Sequence, residues 1–244
     1  MMNETINVIQ NHATVRGFDG EYMLSQEALS AIISSAKQAP SWENGQAYSI
    51  VVFTGKEKEK LANLVEKHDN QVNNVNTIRQ SSVFLLFNIN LSLYGIDADF
   101  GGEIEPLLIG AVDASLALEN AAITAESMGL GTCVIGGIRR LSEEIVTTYA
   151  YPKYSFPLVG MAIGKATKEK FVKPRLSDIN VIYAGQSMDF TDLTPVKAYA
   201  AKLKNFSIQA GYTSSDWSDR FLNYYNKGKY PKGTKAVLQK QGLL

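Results

Sequence analysis

Cysteine and histidine are nearly missing from this 244-residue chain, which has Cys133 alone and only His12 and His68. A single thiol excludes an intrachain disulfide and a multi-thiolate metal site, and two histidines are too few for a His-based one. Cys133 sits in the apolar run Thr-Cys-Val-Ile-Gly-Gly, the setting of a small core residue and not of a nucleophile. Surplus charge is missing too: 24 basic residues balance 24 acidic ones. That argues against nucleic-acid or anionic-membrane binding, which need an excess of Lys and Arg. The longest apolar runs, near Val83–Phe87 and Phe156–Ile163, are too short to cross a bilayer. Asn3 and Glu4 fall where a signal peptide needs a basic start and an apolar core, so the cytoplasm is the expected location.

What is present, 45% of the chain being hydrophobic residues, suits one α/β or α+β domain with a sizeable core. Ser25 caps a predicted helix running to Ala39, with Glu27 in its first turn and Leu24 stapled onto Leu29. Tyr48–Phe53 reads as a strand and Lys56–Lys67 as a charged amphipathic helix. Ser82–Asn90 reads as a strand buried on both faces, between predicted loops at Asn70–Asn76 and Tyr94–Glu105. Leu107–Met128 is a helix apolar almost all round, interrupted by Asp113, Glu119, Asn120 and Glu126 and ended by Gly129. It must be buried on most sides, either as a core helix or as the spine of a dimer. Strands at Thr132–Ile135 and Pro157–Ile163 enclose a capped helix at Ser142–Tyr149. Residues 176–244 offer three helices, near 193–204, 215–227 and 232–241, as an extension of the 1–175 core packed on it or on a partner subunit.

Two cationic clusters stand far apart, His12-Ala13-Thr14-Val15-Arg16 and Lys173-Pro174-Arg175. In a chain without spare positive charge, such donors at two remote points suggest one compact anion gripped from two sides, such as a phosphate monoester. Between them, Ser41, Asn44 and Gln46 stand where a helix end, a turn and a strand meet, either a plain turn or a place to hydrogen-bond a flat heterocycle.

Taken in order, His-x-Thr-x-Arg, Ala39-Pro-Ser-x-x-Asn-x-Gln46, Glu126-Ser-Met-Gly-Leu-Gly131, Val134-Ile-Gly-Gly137 and Lys173-Pro-Arg175 resemble the FMN-dependent nitroreductase/flavin reductase family. The similarity is to its oxygen-insensitive, NADPH-preferring branch and reaches the tail, through Asp216-Trp-Ser-Asp219 and Leu238-Gln-Lys-Gln-Gly242. The resemblance implies an α+β fold: a mostly antiparallel sheet flanked by helices, a long central helix at a homodimer interface and FMN at that interface. It assigns His12, Thr14, Lys173 and Arg175 to the FMN phosphate and ribityl chain, with Ala13 and Val15 in the same segment, and Arg16 to the flavin. It also assigns Ser41 and Gln46 to flavin-binding polar positions, and lays Val134, Ile135, Gly136 and Gly137 against the ring. The implied activity is ping-pong transfer of two electrons from NADPH or NADH to nitroaromatics, quinones or flavins. A dedicated flavin reductase and a non-catalytic FMN-binding protein are the alternatives. The chemistry belongs to the flavin, so no catalytic side chain and no metal is expected. Two features depart from the family pattern: Ala13 replaces a basic residue after the histidine, and Asn205–Ser215 has no arginine, with Tyr230 where the branch tends to carry one. The choice between NADPH and NADH stays open.

Overall fold

Alternation along one strand organises the core. In β2 (Val83–Asn90) every residue is buried, Phe84 and Leu86 toward one side and Leu85 and Phe87 toward the other. The computed structural model describes residues 3–68, 72–168, 170–176, 180–185, 192–211 and 217–244. They fall into two compact units, Met1–Lys170 with Pro231–Leu244, and Phe171–Tyr230.

In the first unit, β1 (Tyr48–Phe53), β2, β3 (Gly131–Ile135) and β4 (Ser155–Gly164) form an antiparallel sheet in the order β1-β2-β4-β3. The short α1 (Glu4–Gln10) precedes them, with Asn3 capping it. One face of the sheet carries α2 (Gln26–Lys37) and α5 (Glu105–Ser127), through Ile32, Ala36, Ala114, Ala117, Ala121 and Ala125. The other carries α3 (Gly55–His68), α4 (Val72–Gln80) and α6 (Ser142–Thr148), through Leu61, Val65, Ile78 and Ile145. Apart from α1 and α4, these are the strands and flanking helices expected from the sequence, within a few residues at each end.

Ser25 caps α2 as expected, its hydroxyl accepting from the Ala28 N–H at 3.1 Å, although the helix stops at Lys37, two residues short of Ala39. Gly129, at φ 75°, ends α5 with the two bonds of a Schellman motif. The Leu130 N–H donates to the Ala125 carbonyl (3.1 Å) and the Gly129 N–H to that of Glu126 (3.0 Å).

Two expectations fail. Asn70–Asn76 is not a loop throughout, because α4 begins at Val72. Its asparagines hide a buried pair, Val75 and Ile78, three residues apart. Tertiary pairing then overrides propensity: Arg79 bonds Glu59 (2.9 Å) and Glu66 (2.8 Å) of α3, and the Lys58 ammonium donates to the carbonyls of Arg79 and Ser81. Ser142 does not cap α6; it is the helix's first residue and is buried, because a 3-10 turn over Gly136–Leu141 runs straight into the helix. Within this chain α5 leaves one face open, Leu108, Val112 and Leu116 being 48%, 56% and 38% exposed, so it is not wholly a core helix. At 23 residues α5 is also long and apolar enough to cross a membrane by length and composition, a run the sequence reading passed over. Its alanine face packs on the sheet instead.

Helix α9 (Thr234–Lys240) belongs to the first unit, where Val237, Leu238 and Leu243 enter a third apolar cluster with Phe156. Gln241 fastens it, its side-chain amide donating to the carbonyls of Pro152 (3.1 Å) and Ser155 (3.0 Å). The second unit holds α7 (Thr194–Gln209) and α8 (Trp217–Asn226). There Trp217 meets Tyr199 and Phe221 edge-on at 5.3 and 5.1 Å. The expected start of α8 near 215, Asp216 of the tail motif and residues 212–215 lie outside the described residues.

Candidate functional site

The N-terminal cluster is an extended segment with two faces. Ala13 and Val15 are buried, His12 and Thr14 are partly exposed, and Arg16 is exposed. The segment runs parallel to β3, with Thr14 opposite Thr132 and the Val15 N–H donating to the Thr132 carbonyl at 2.8 Å. Glycine at 131 permits this approach, because a Cβ there would lie 2.8 Å from the Cβ of Val15. Since both segments run the same way, Arg16 is carried toward the end of β3, where Val134 is exposed, Ile135 is buried, and Gly136 and Gly137 open the 3-10 turn. The charge of Arg16 reaches Cys133: burial pushes the thiol's pKa up and the guanidinium pulls it part of the way back. The Arg16 carbonyl accepts from the Thr77 hydroxyl at 3.0 Å, while its guanidinium makes no hydrogen bond or ion pair with any described residue. Beside the glycines, the Arg139 guanidinium lies 3.4 Å from where a Gly136 Cβ would stand, and it donates to the Leu158 carbonyl at 2.8 Å.

His12 is tied down by a residue that sequence reasoning left without a role. Its Nδ1 lies 2.8 Å from Glu126 Oε1, and the Thr132 hydroxyl donates to the same oxygen at 2.5 Å. Glu126 is buried, with 6% of its side chain exposed. Burial raises its pKa, but the bonds from His12 and Thr132 and the charges of His12 and Lys170 outweigh that and hold it below its ordinary value of 4.5. A carboxyl depressed on folding contributes stability that is present above its unfolded pKa and lost as pH falls through the folded one. Acid unfolding of the wild type should therefore steepen below about pH 4.5, and Glu126→Gln should flatten that part of the stability profile. Identical profiles between pH 3 and 5, followed by circular dichroism, would rule this out.

Ser41 and Gln46 sit in a strained loop between α2 and β1. Glu43, Asn44 and Gln46 have φ of 46°, 59° and 57°, a left-handed region that costs about 1–3 kcal/mol for a residue with a side chain. The Ser41 hydroxyl accepts from the Gln46 N–H (3.2 Å), and the Gln46 amide donates to the Asn44 carbonyl (3.2 Å). Asp113 of α5, 1% exposed, closes the loop from beneath. Its carboxylate accepts from the Trp42 N–H at 3.1 Å and the Ala47 N–H at 2.9 Å. Bonds to a charged acceptor contribute about 1.5–3 kcal/mol each, enough to offset such strain.

His12, Thr14 and Arg16 are thus not brought together with Ser41 and Gln46 within this chain. Asp113 holds the Ser41–Gln46 loop and Glu126 holds His12, and these two points of α5 stand about 20 Å apart at 1.5 Å per residue. At the Asp113 end a groove of about 390 Å³ opens between Pro40, Ser41 and Trp42 and the exposed α5 stripe of Leu108, Val112 and Leu116. Lys173 and Arg175 belong to the second unit, both exposed; Arg175 has no partner among the described residues. The signal for Asp113 and Glu126 was present in the sequence, as carboxylates interrupting an otherwise apolar helix, but nothing in one dimension shows what a buried carboxylate is bonded to.

Comparison with known proteins shows the family. The family model described as "Nitroreductase family" matches residues 9–165. An FMN reductase [NAD(P)H] of Bacillus subtilis is 32% identical, covering 99% of this chain and 98% of its own. A Cr(VI) reductase of a Pseudomonas species is 33% identical over 97% of both chains. The solved structure of NfrA2 from B. megaterium superposes with a TM-score of 0.86 at 33% identity, covering 99% of this chain and 98% of the other. With its sheet, its outward-facing His-x-Thr-x-Arg segment and its clamped loop in the expected order, the chain belongs to the nitroreductase family.

Proposed function

We propose that this chain is an FMN-dependent oxidoreductase that moves two electrons from NAD(P)H to flat acceptors such as nitroaromatics, quinones or free flavin, working as a cytoplasmic homodimer. The observation that carries the reading is the face formed by His12, Thr14 and Arg16 beside the glycine-ended strand β3. It combines anion donors, one of them a guanidinium with no partner among the described residues, with half-buried backbone at Gly136 and Gly137 that carries no side chain of its own. That donor set fits a phosphate joined to a flat ring. When bound, FMN supplies the redox chemistry, receiving electrons from the nicotinamide in one half-reaction and yielding them to the acceptor in the next.

The protein's part is grip and electrostatics. Thr14 and His12 offer the phosphate a hydroxyl and a ring nitrogen, and the family resemblance assigns Lys173 and Arg175 to the same phosphate. Arg16, further along its segment, presents a fixed positive charge that favours negative charge on a ring lying against Val134–Gly137. Ser41 and Gln46 supply hydrogen-bonding groups from the clamped loop. Because that loop stands about 20 Å from His12 along α5, a complete site takes the loop from a second copy. The exposed stripe of Leu108, Val112 and Leu116 supports that pairing.

The test is direct. Purified protein should be yellow or take up FMN, and anaerobic addition of NADPH or NADH should bleach it. Bleached protein should then recover its colour on adding a quinone, a nitroaromatic or chromate. Arg175→Ala should weaken FMN retention roughly 10- to 100-fold, the equivalent of one charged hydrogen bond. Protein that stays yellow under excess NADPH and NADH would instead be a flavin carrier, and protein that takes up no FMN would end the proposal.

A further inference from the structure

Among the described residues, one fully buried carboxylate serves only a loop. Asp113 accepts from the backbone at both ends of the 42–47 loop, from Trp42 at 3.1 Å and Ala47 at 2.9 Å. Between those two anchors stand Glu43, Asn44 and Gln46, all at positive φ. Gly45, in the same loop, is pressed from above, since a Cβ there would lie 2.7 Å from the Tyr94 hydroxyl and 3.0 Å from the Trp42 carbonyl. Without Asp113, only the loop's own bonds, such as that from the Gly45 N–H to the Trp42 carbonyl at 2.7 Å, offset three left-handed residues in a row of four, and the loop would relax toward ordinary dihedrals. Relaxation would swing Gln46, and with it the Gln46 N–H that now orients the Ser41 hydroxyl at 3.2 Å. The negative charge is felt nearby: burial first, and then Asp113, raises the pKa of both Tyr48 and Tyr94.

Asp113 also lies next to Val112 of the exposed α5 stripe and lines the same groove as Leu108, Val112, Leu116, Ser41 and Trp42. One side chain therefore joins the helix face that is open for a partner to the loop that carries Ser41 and Gln46. We propose that Asp113 is a positioning residue, a clamp that stores the 42–47 loop in its left-handed form and sets how Ser41 and Gln46 meet the flavin. The clamp itself touches neither cofactor nor substrate. This inference rests on the flavin-binding reading above.

The experiment compares wild type, Asp113→Asn, Gln46→Ala and the double variant in FMN titrations, visible circular dichroism of the bound flavin and anaerobic reduction. The asparagine keeps the volume but loses the charge, and only one of its terminal groups can accept. Asp113→Asn should weaken FMN binding about ten-fold, the scale of one charged bond, and alter the flavin's dichroic spectrum. The double variant should be scarcely worse than Asp113→Asn alone, because both act through one loop. Fully additive losses, or an Asp113→Asn protein with wild-type affinity and spectrum, would overturn the proposal. Wild type that takes up no FMN would overturn the flavin reading instead, so the two failures are distinguishable. Should Asp113→Asn fold poorly, adding Glu43→Gly decides the matter. Glycine accepts a positive φ without strain, so the pair should regain most of the lost FMN affinity. A pair that folds without regaining affinity would count against the clamp.

Discussion

Replacing Val112 and Leu116 together with glutamate should turn the proposed dimer into a monomer that no longer holds FMN. Leu108, Val112 and Leu116 recur every fourth residue along α5 and form an apolar stripe beside the Pro40–Trp42 turn. Full burial of side chains of this size contributes about 1.5–3 kcal/mol each, and two-fold symmetry counts every residue twice. Two glutamates per chain would remove that gain and leave four unpaired carboxylates facing apolar surface, a cost of several kcal/mol per buried charge. The opposite face of α5, with Ala114, Ala117, Ala121 and Ala125, is untouched, so each protomer should keep its fold. Size-exclusion chromatography with light scattering should find one chain per particle, far-ultraviolet circular dichroism should match wild type, and the preparation should be colourless. A yellow dimer would show that the flavin site does not depend on this stripe.

Gly160→Ala should lower thermal stability more than most single changes. Gly160 lies in the middle of β4, opposite Leu86 of β2 and Ile135 of β3, where neither neighbouring strand can move aside alone. A Cβ at this point would overlap the ring of Phe84, meeting its Cζ and standing 2.8 and 3.0 Å from the two Cε atoms. Phe84 has 0% exposure and a tilted neighbour, the Phe53 ring, at 6.3 Å, so the ring has no empty space to enter. Overpacking of this kind costs about 3 kcal/mol, and in a chain of this length each kcal/mol lowers Tm by about 2–4 °C. The expected loss is therefore about 6–12 °C. Phe84→Leu in the same chain should recover part of it, because the clash is with the ring and not the backbone. A Tm within 2 °C of wild type for Gly160→Ala would mean that the ring has room to retreat.

Much of the architecture was readable one residue at a time. β2 announced itself by an unbroken apolar run, α2 by Ser25, and the end of α5 by Gly129, because burial, capping and left-handed backbone each leave a local mark. α4 was not readable: its asparagines argue for a loop, and only Val75, Ile78 and the Arg79 pairs with α3 reveal the helix. The candidate site divides in the same way. His12, Thr14 and Arg16 stood out as donors, but the bond that fixes His12 runs to Glu126, a partner 114 positions away.

By itself, then, the sequence determined the residue types and the order of the elements: an apolar central strand, an alanine-rich helix and polar donors in a family-like succession. Periodicity, capping and chemical type are local properties, and they survive in one dimension. The tertiary structure alone decided that the donors lie at two ends of α5 and that buried carboxylates hold both groups in place. It also decided that α5 keeps one apolar face open. The reason is physical: a carboxylate's role depends on which N–H or hydroxyl reaches it, and a helix face on what packs against it. Both are settled only when distant segments of the chain meet.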